Sequence, residues 1–178
     1  MHSMFASTSC PGAWLTNKIV SGQFEKDIKA KMAGDKPKPV YTPIKKEKDQ
    51  SVYRLYNKST GDHLLTLDHK EAEAVHKAGW IYEGVAWIAP KEGDPVYRLY
   101  IDGRHIFTLN PEEKKNLVLH GAADEGVAFR SGGPIEIWRL YNPHTGDHIL
   151  TASRSEHDGL SKAGWYCEGQ KLRGIAVE

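Results

Sequence analysis

One pattern occurs three times in this chain, in the same order of apolar, turn and aromatic positions, and fills residues 51–178. The first copy, from Val52, reads VYRLYNKSTGDHLLTLDHKEAEAVHKAGWIYEGVAWIAP; the second, from Val96, reads VYRLYIDGRHIFTLNPEEKKNLVLHGAADEGVAFRSG; the third, from Ile137, reads IWRLYNPHTGDHILTASRSEHDGLSKAGWYCEGQKLRGIAVE. The period is roughly 42 residues, in the range where repeats stack or close around a shared core. An open array of only three would leave an uncapped apolar face at each end. The expectation is therefore a globule in which three units, about 52–95, 96–136 and 137–178, enclose one core.

Within a unit, V-Y-R-L-Y alternates with period two and is rich in β-formers, so it reads as a strand. N-K-S-T-G-D and N-P-H-T-G-D carry turn chemistry, and H-L-L-T or H-I-L-T supplies the returning strand of a hairpin. Asp68, Asn110 and Ser153 then stand three residues before Glu71, Glu113 and Glu156, the spacing of a helix capping box. Gly79, Gly121 and Gly164 are expected to end those helices. A last strand, I-Y-E-G-V-A-W in the first copy, completes a ββαβ unit; in the third, Gln170-Lys171-Leu172-Arg173 is expected to interrupt it. The fold class expected is α+β and β-rich, three tandem ββαβ repeats closed with pseudo-threefold symmetry. A β-trefoil-like barrel is the alternative, disfavoured by the helical segment in every unit.

The region upstream differs. Residues 33–50 hold three prolines and many lysines and read as an extended linker. Residues 13–32 place Trp14, Ile19, Phe24 and Ile28 near helical spacing. With Lys+Arg 24 against Asp+Glu 23, the net charge of +1 lacks the electrostatic footprint of a nucleic-acid binder. No apolar run nears the roughly 18 residues that span a bilayer, and the first twenty residues do not have the layout of a signal peptide. Cys10 and Cys167, at opposite ends, suggest neither a disulfide framework nor a C-x-x-C metal knuckle.

The opening segment H-S-M-F-A-S-T-S-C-P-G-A-W-L resembles the C-terminal signature of zinc-dependent N-acetylmuramoyl-L-alanine amidases, the family that includes many phage endolysins. The resemblance covers residues 2–32 and places His2 and Cys10 at two of that family's three zinc-ligand positions, with Thr8 near the catalytic water. Two ligands do not hold a catalytic zinc. The expectation is thus a remnant of an amidase domain over 1–32, no working metal, no cofactor and no enzymatic activity in this chain. Met1 then marks either an internal translation start or a fragment boundary.

The repeats, Y-R-L-Y-N…T-G-D-H…A-G-W…Y-E-G-V-A, resemble a family found in bacterial and phage cell-surface proteins and lytic enzymes, where they accompany catalytic domains. The resemblance implies a non-catalytic module that targets an endolysin or autolysin amidase to cell-wall glycan or peptidoglycan. It implies a protein made in the bacterial cytoplasm that acts at the wall after release. The implied partners are the wall polymer and, through self-association, other copies or the full-length amidase, with neither nucleic acid nor membrane. Oligomerisation of the parent amidase, or glycan hydrolysis by the module itself, are the competing functions.

Sugars are held by aromatic faces and by polar groups that grip hydroxyls. The candidate glycan-binding residues are Arg54, Tyr56, His63 and Trp80 in the first repeat, and Arg139, Tyr141, His148 and Trp165 in the third. Other roles stand beside this one. Each arginine can instead pair with the Glu of its own E-G (Glu83, Glu125, Glu168), each histidine can brace its hairpin, and each Trp can be a packing anchor. Leu55, Leu99 and Leu140 are expected in the core. The second repeat has Ala122 where the others have Trp, and D-G-R where they have T-G-D, so its own pocket, around Arg98, is expected to be degenerate.

Overall fold

The computed structural model describes residues 41–48 and 50–177. The chain divides at Thr42/Pro43, and the unit that begins at Pro43 carries the three repeats. His2, Cys10 and the expected 13–32 helix lie outside the described residues.

Three ββαβ units succeed one another. The first comprises β1 (Ser51–Asn57), β2 (Asp62–Thr66), α1 (His69–Lys77) and β3 (Ile81–Ile88). The second comprises β4 (Asp94–Ile101), β5 (Arg104–Thr108), α2 (Pro111–Leu119) and β6 (Ala123–Ser131). The third comprises β7 (Ile135–Tyr141), β8 (His148–Thr151), α3 (Arg154–Lys162) and β9 (Tyr166–Gly174). Each unit makes its own three-stranded antiparallel sheet with the V-Y-R-L-Y strand in the middle: β2-β1-β3, β5-β4-β6 and β8-β7-β9. The protein is α+β and β-rich, and among the described residues the strands form three sheets rather than one closed barrel.

The helices begin and end as their residues dictate. The side chains of Asp68, Asn110 and Ser153 accept from the backbone N–H of Lys70, Glu112 and Glu156. At the other end Gly79, Gly121 and Gly164 take positive φ of 103°, 97° and 92°. The residue after each donates back across the last turn, Trp80 to Val75 O, Ala122 to Leu117 O and Trp165 to Leu160 O. This left-handed termination is accessible to glycine without a Cβ clash.

The middle strand is buried on both faces, which explains its dense apolar content. On β1, Tyr53 and Leu55 face α1 in a cluster with Ile44 and Ala72. Val52, on the other face, enters the main core. That core takes corresponding residues from every unit: Val52, Val96 and Ile137 from the middle strands, Leu65, Phe107 and Leu150 from the second, and Trp87, Phe129 and Leu172 from the third. Val52 pairs with Trp87, Val96 with Phe129 and Ile137 with Leu172. Hence the expected interruption at 170–173 does not occur. β9 runs through it with a register shift between Trp138 and Leu140, and Leu172 is fully buried.

Segment ends bind the units together. Ile88 N–H donates to Ala176 O, Ile175 N–H to Ile88 O, and Gly132 N–H to Arg173 O. Within the stretch expected as linker, Ile44 is buried and its carbonyl lies 2.7 Å from His69 Nε2, while Glu47 N–H donates to the Tyr53 hydroxyl.

Candidate functional site at the repeat junctions

Along each middle strand, side chains two apart share a face. Val52, Arg54 and Tyr56 therefore step outward from the core to the rim, as do Val96, Arg98 and Tyr100, and Ile137, Arg139 and Tyr141. The arginines stand where the core gives way to polar groups.

Each guanidinium grips two carboxylates. Its Nε meets the Glu of its own E-G: Arg54–Glu83 at 2.9 Å, Arg98–Glu125 at 2.8 Å and Arg139–Glu168 at 2.8 Å. Its two terminal nitrogens fork onto the helix-start Glu of the preceding repeat. Arg98 donates to Glu71 at 2.9 and 3.0 Å, and Arg139 to Glu113 at 2.7 and 3.1 Å. Arg54, in the first repeat, donates to Glu156 of the third at 2.9 and 3.0 Å. The contacts thus run 1→3, 2→1 and 3→2 and close on themselves. Arg139 is the most enclosed, 4% exposed, and also donates to Phe107 O at 3.0 Å.

The spacing that suggested capping boxes therefore serves another purpose. Glu71, Glu113 and Glu156 reach the next repeat's arginine, and the Thr108 hydroxyl donates to Glu113. Burial pushes the Glu71 and Glu156 carboxyls up, but the hydrogen bonds and charge of Arg98 and Arg54 outweigh it, leaving both below the ordinary carboxylate value. Glu168 is likewise lowered against its burial, by the His148 hydrogen bond and the Arg139 charge. Arg54 and Arg98 are raised despite burial by the carboxylates around them.

Outside this collar lies a second one. Tyr56 pairs across the hairpin with His63, Tyr100 with His105 and Tyr141 with His148, with ring centroids 4.8–4.9 Å apart. His105 Nδ1 lies 2.7 Å from Asp62 Oδ2 in the preceding repeat, and His63 Nδ1 lies 3.0 Å from Asp147 Oδ2 in the third. The position of these aspartates, just before the histidine, is Arg104 in the second repeat. His148 Nδ1 accordingly has no hydrogen-bond partner among the described residues. Its Nε2 lies 3.5 Å from Glu168.

The structure regroups the candidate residues. Trp165 lines a cavity of about 290 Å³ with Tyr56 and His63 of the first repeat, alongside Glu83, Asp147 and Glu156. Tyr141 and His148, of its own repeat, do not line it. Trp80 packs against the Tyr53–Leu55–Ala72 cluster, and its ring edge meets His105 of the second repeat, centroids 6.3 Å apart. Arg54 also lines an adjacent cleft of about 360 Å³ with Ser153 and Val177. Arg139 lines one of about 540 Å³ between the second and third repeats, with Glu112, Asn116 and His120.

At the junctions, the substitutions at Ala122 and Arg104 do not spoil the second repeat's own tyrosine and histidine. They spoil the setting of Tyr141 and His148. Sequence reasoning read Asp62 and Asp147 as turn residues whose loss in the second copy marks a degenerate pocket, and did not pair them with the histidines of another repeat. The clue was the D-H dipeptide in the first and third copies and R-H in the second. Among the described residues no cluster of His, Cys, Asp or Glu is arranged to hold a metal ion, and no helix there is long and apolar enough to cross a membrane.

These features define a β-rich repeat domain with enclosed ion pairs between its repeats and an aromatic-walled cavity between the third and the first. The chain belongs to the family described as a domain of unknown function, DUF5648, whose model matches residues 28–132 and, in an overlapping placement, 51–175. No curated protein and no solved structure matches it.

Proposed function

We propose that this chain is a non-catalytic cell-wall-binding module that holds saccharide at the junctions between three repeats closed with pseudo-threefold symmetry. The symmetry is supported by the cyclic order of the Arg–Glu contacts and by the matched core positions. The observation that carries the function is the cavity walled by Tyr56, His63 and Trp165 with Asp147 at its side. Aromatic faces opposed by carboxylate acceptors suit sugar C–H surfaces and hydroxyls. The arginines act behind this surface: Arg54 holds Glu83 and Glu156 in place.

The resemblance of residues 2–32 to an amidase tail supports a parent enzyme that cleaves peptidoglycan and needs zinc. This chain takes no cofactor and targets that enzyme to the wall after its release from the cytoplasm. Self-association, or association with the parent, would raise avidity on a polymeric ligand.

Pull-down with purified bacterial walls, run beside a zymogram with and without zinc and with light scattering, tests the reading. Binding without clearing is expected. Clearing would make the chain a hydrolase. Assembly with no retention on walls would make it an oligomerisation module.

A further inference from the structure

We infer that the junction between the third and first repeats is the ligand site, and that it selects a neutral or amino-bearing sugar unit over an anionic phosphodiester polymer. This inference rests on the wall-binding reading and adds to it the location and the ligand's charge class.

The three junctions share residue types but differ in what is left to bind with. Between the first and second repeats, both Asp62 oxygens are engaged by His105: Oδ1 accepts from the backbone N–H at 2.8 Å and Oδ2 lies 2.7 Å from the ring. Between the second and third, Ala122 and Arg104 replace the tryptophan and the aspartate. At the third–first junction Asp147 is 4% exposed and lines the cavity. Its Oδ2 meets His63, but its Oδ1 has no partner among the described residues. A buried acceptor left open costs free energy unless a donor reaches it. Here the adjoining space, walled by Trp165 and Tyr56, is at the small end of ligand clefts and fits a single sugar unit.

Charge then decides the class. The junction gathers Asp147, Glu83 and Glu156 around the Arg54 guanidinium, and the Arg104 guanidinium reaches its edge, beside Gly146 and donating to Thr60 O at 3.4 Å. Three carboxylates against these two guanidinium groups leave the junction with carboxylate in excess. A sugar hydroxyl, an acetamido N–H or an ammonium can donate to Asp147 Oδ1. A phosphodiester offers no donor there and meets like charge, which disfavours it.

The test uses the full chain with two wall preparations, intact and stripped of phosphodiester polymers by acid extraction, and with chitotetraose as a neutral probe and poly(glycerol phosphate) as an anionic one. Retention on stripped walls at least equal to that on intact walls is expected, with competition by chitotetraose and none by poly(glycerol phosphate). Asp147→Asn, which keeps the shape and removes the charge, and Trp165→Ala should each weaken binding tenfold or more. Lys115→Ala, exposed on α2 and lining none of these cavities, should leave it within twofold. Thermal unfolding of each protein separates lost contact from lost fold; should Trp165→Ala unfold, Asp147→Asn carries the test. Loss of binding on stripping, competition by poly(glycerol phosphate), or full binding by folded Asp147→Asn would overturn the inference while leaving wall binding standing. No retention of the wild-type chain on either preparation would overturn the wall-binding reading itself.

Discussion

Replacing Arg139 by alanine would leave two carboxylates, Glu113 and Glu168, facing a space with no cation, and would leave the Phe107 carbonyl without its donor. Removing one member of a buried, hydrogen-bonded ion pair costs about 3–5 kcal/mol, because the remaining charge stays desolvated. Arg139 is 4% exposed, but Glu113 and Glu168 are 27% and 23% exposed, so the lower end of that range, about 3 kcal/mol, applies to it. Arg54 and Arg98, at 15% and 16%, are better screened, and their removal should cost about 1–3 kcal/mol. For a domain of this size each kcal/mol moves Tm by about 3–4 °C, so Arg139→Ala should unfold about 9–12 °C below the parent. Urea titration should show a lower midpoint at unchanged slope. Arg139→Lys should recover little, since an ammonium cannot fork onto two carboxylates. Arg139→Met combined with Glu113→Gln and Glu168→Gln should recover most of the loss, because no unpaired charge remains. An Arg139→Ala protein within about 1 kcal/mol of the parent, or no more destabilised than Arg98→Ala, would refute the reasoning.

Three further outcomes are expected. Arg104→Asp should restore for His148 the aspartate that His63 and His105 already have, raising stability by about 1–2 kcal/mol, and an unchanged urea midpoint would contradict this. Trp80→Ala, which opens a hole against Tyr53 and Leu55, should cost about 3 kcal/mol or more, whereas Trp165→Ala on a cavity wall should cost less than half as much; equal losses in Tm would count against that difference in packing. Glu71, Glu156 and Glu168 are lowered in the folded chain, so their contribution is present above the unfolded carboxylate value of about 4.3 and is lost as pH falls below it through the folded values. Thermal unfolding followed from pH 7 to pH 3 should show Tm falling chiefly below about pH 4.5, and a flat profile would sink the linkage argument.

Much of the local structure was legible in the sequence for a direct reason: it depends on neighbours in the chain. The period-two run V-Y-R-L-Y, the cap residues Asp68, Asn110 and Ser153, and the terminating glycines act over a few residues, and each element formed where its own chemistry places it. Leu172 is the instructive exception. Its surroundings, Gln170-Lys171 and Arg173, argue against a strand. The core position opposite Ile137 nevertheless needs an apolar side chain, and packing kept the strand continuous.

What the tertiary structure decided is who belongs to which site. Reading each repeat as a unit puts Arg54, Tyr56 and Trp80 in one pocket, because they share one copy of the pattern. In the folded chain the helix-start glutamate, the hairpin aspartate and the post-helix residue of one repeat turn toward the arginine, histidine and tyrosine of the next. Trp165 therefore serves Tyr56, and the losses at Ala122 and Arg104 fall on His148. A repeat announces its own secondary structure through local spacing, but its charges and aromatic edges are satisfied across a boundary, by partners 26 to 102 residues away. No local spacing encodes that partner, and only the packing of the three sheets and their helices selects it.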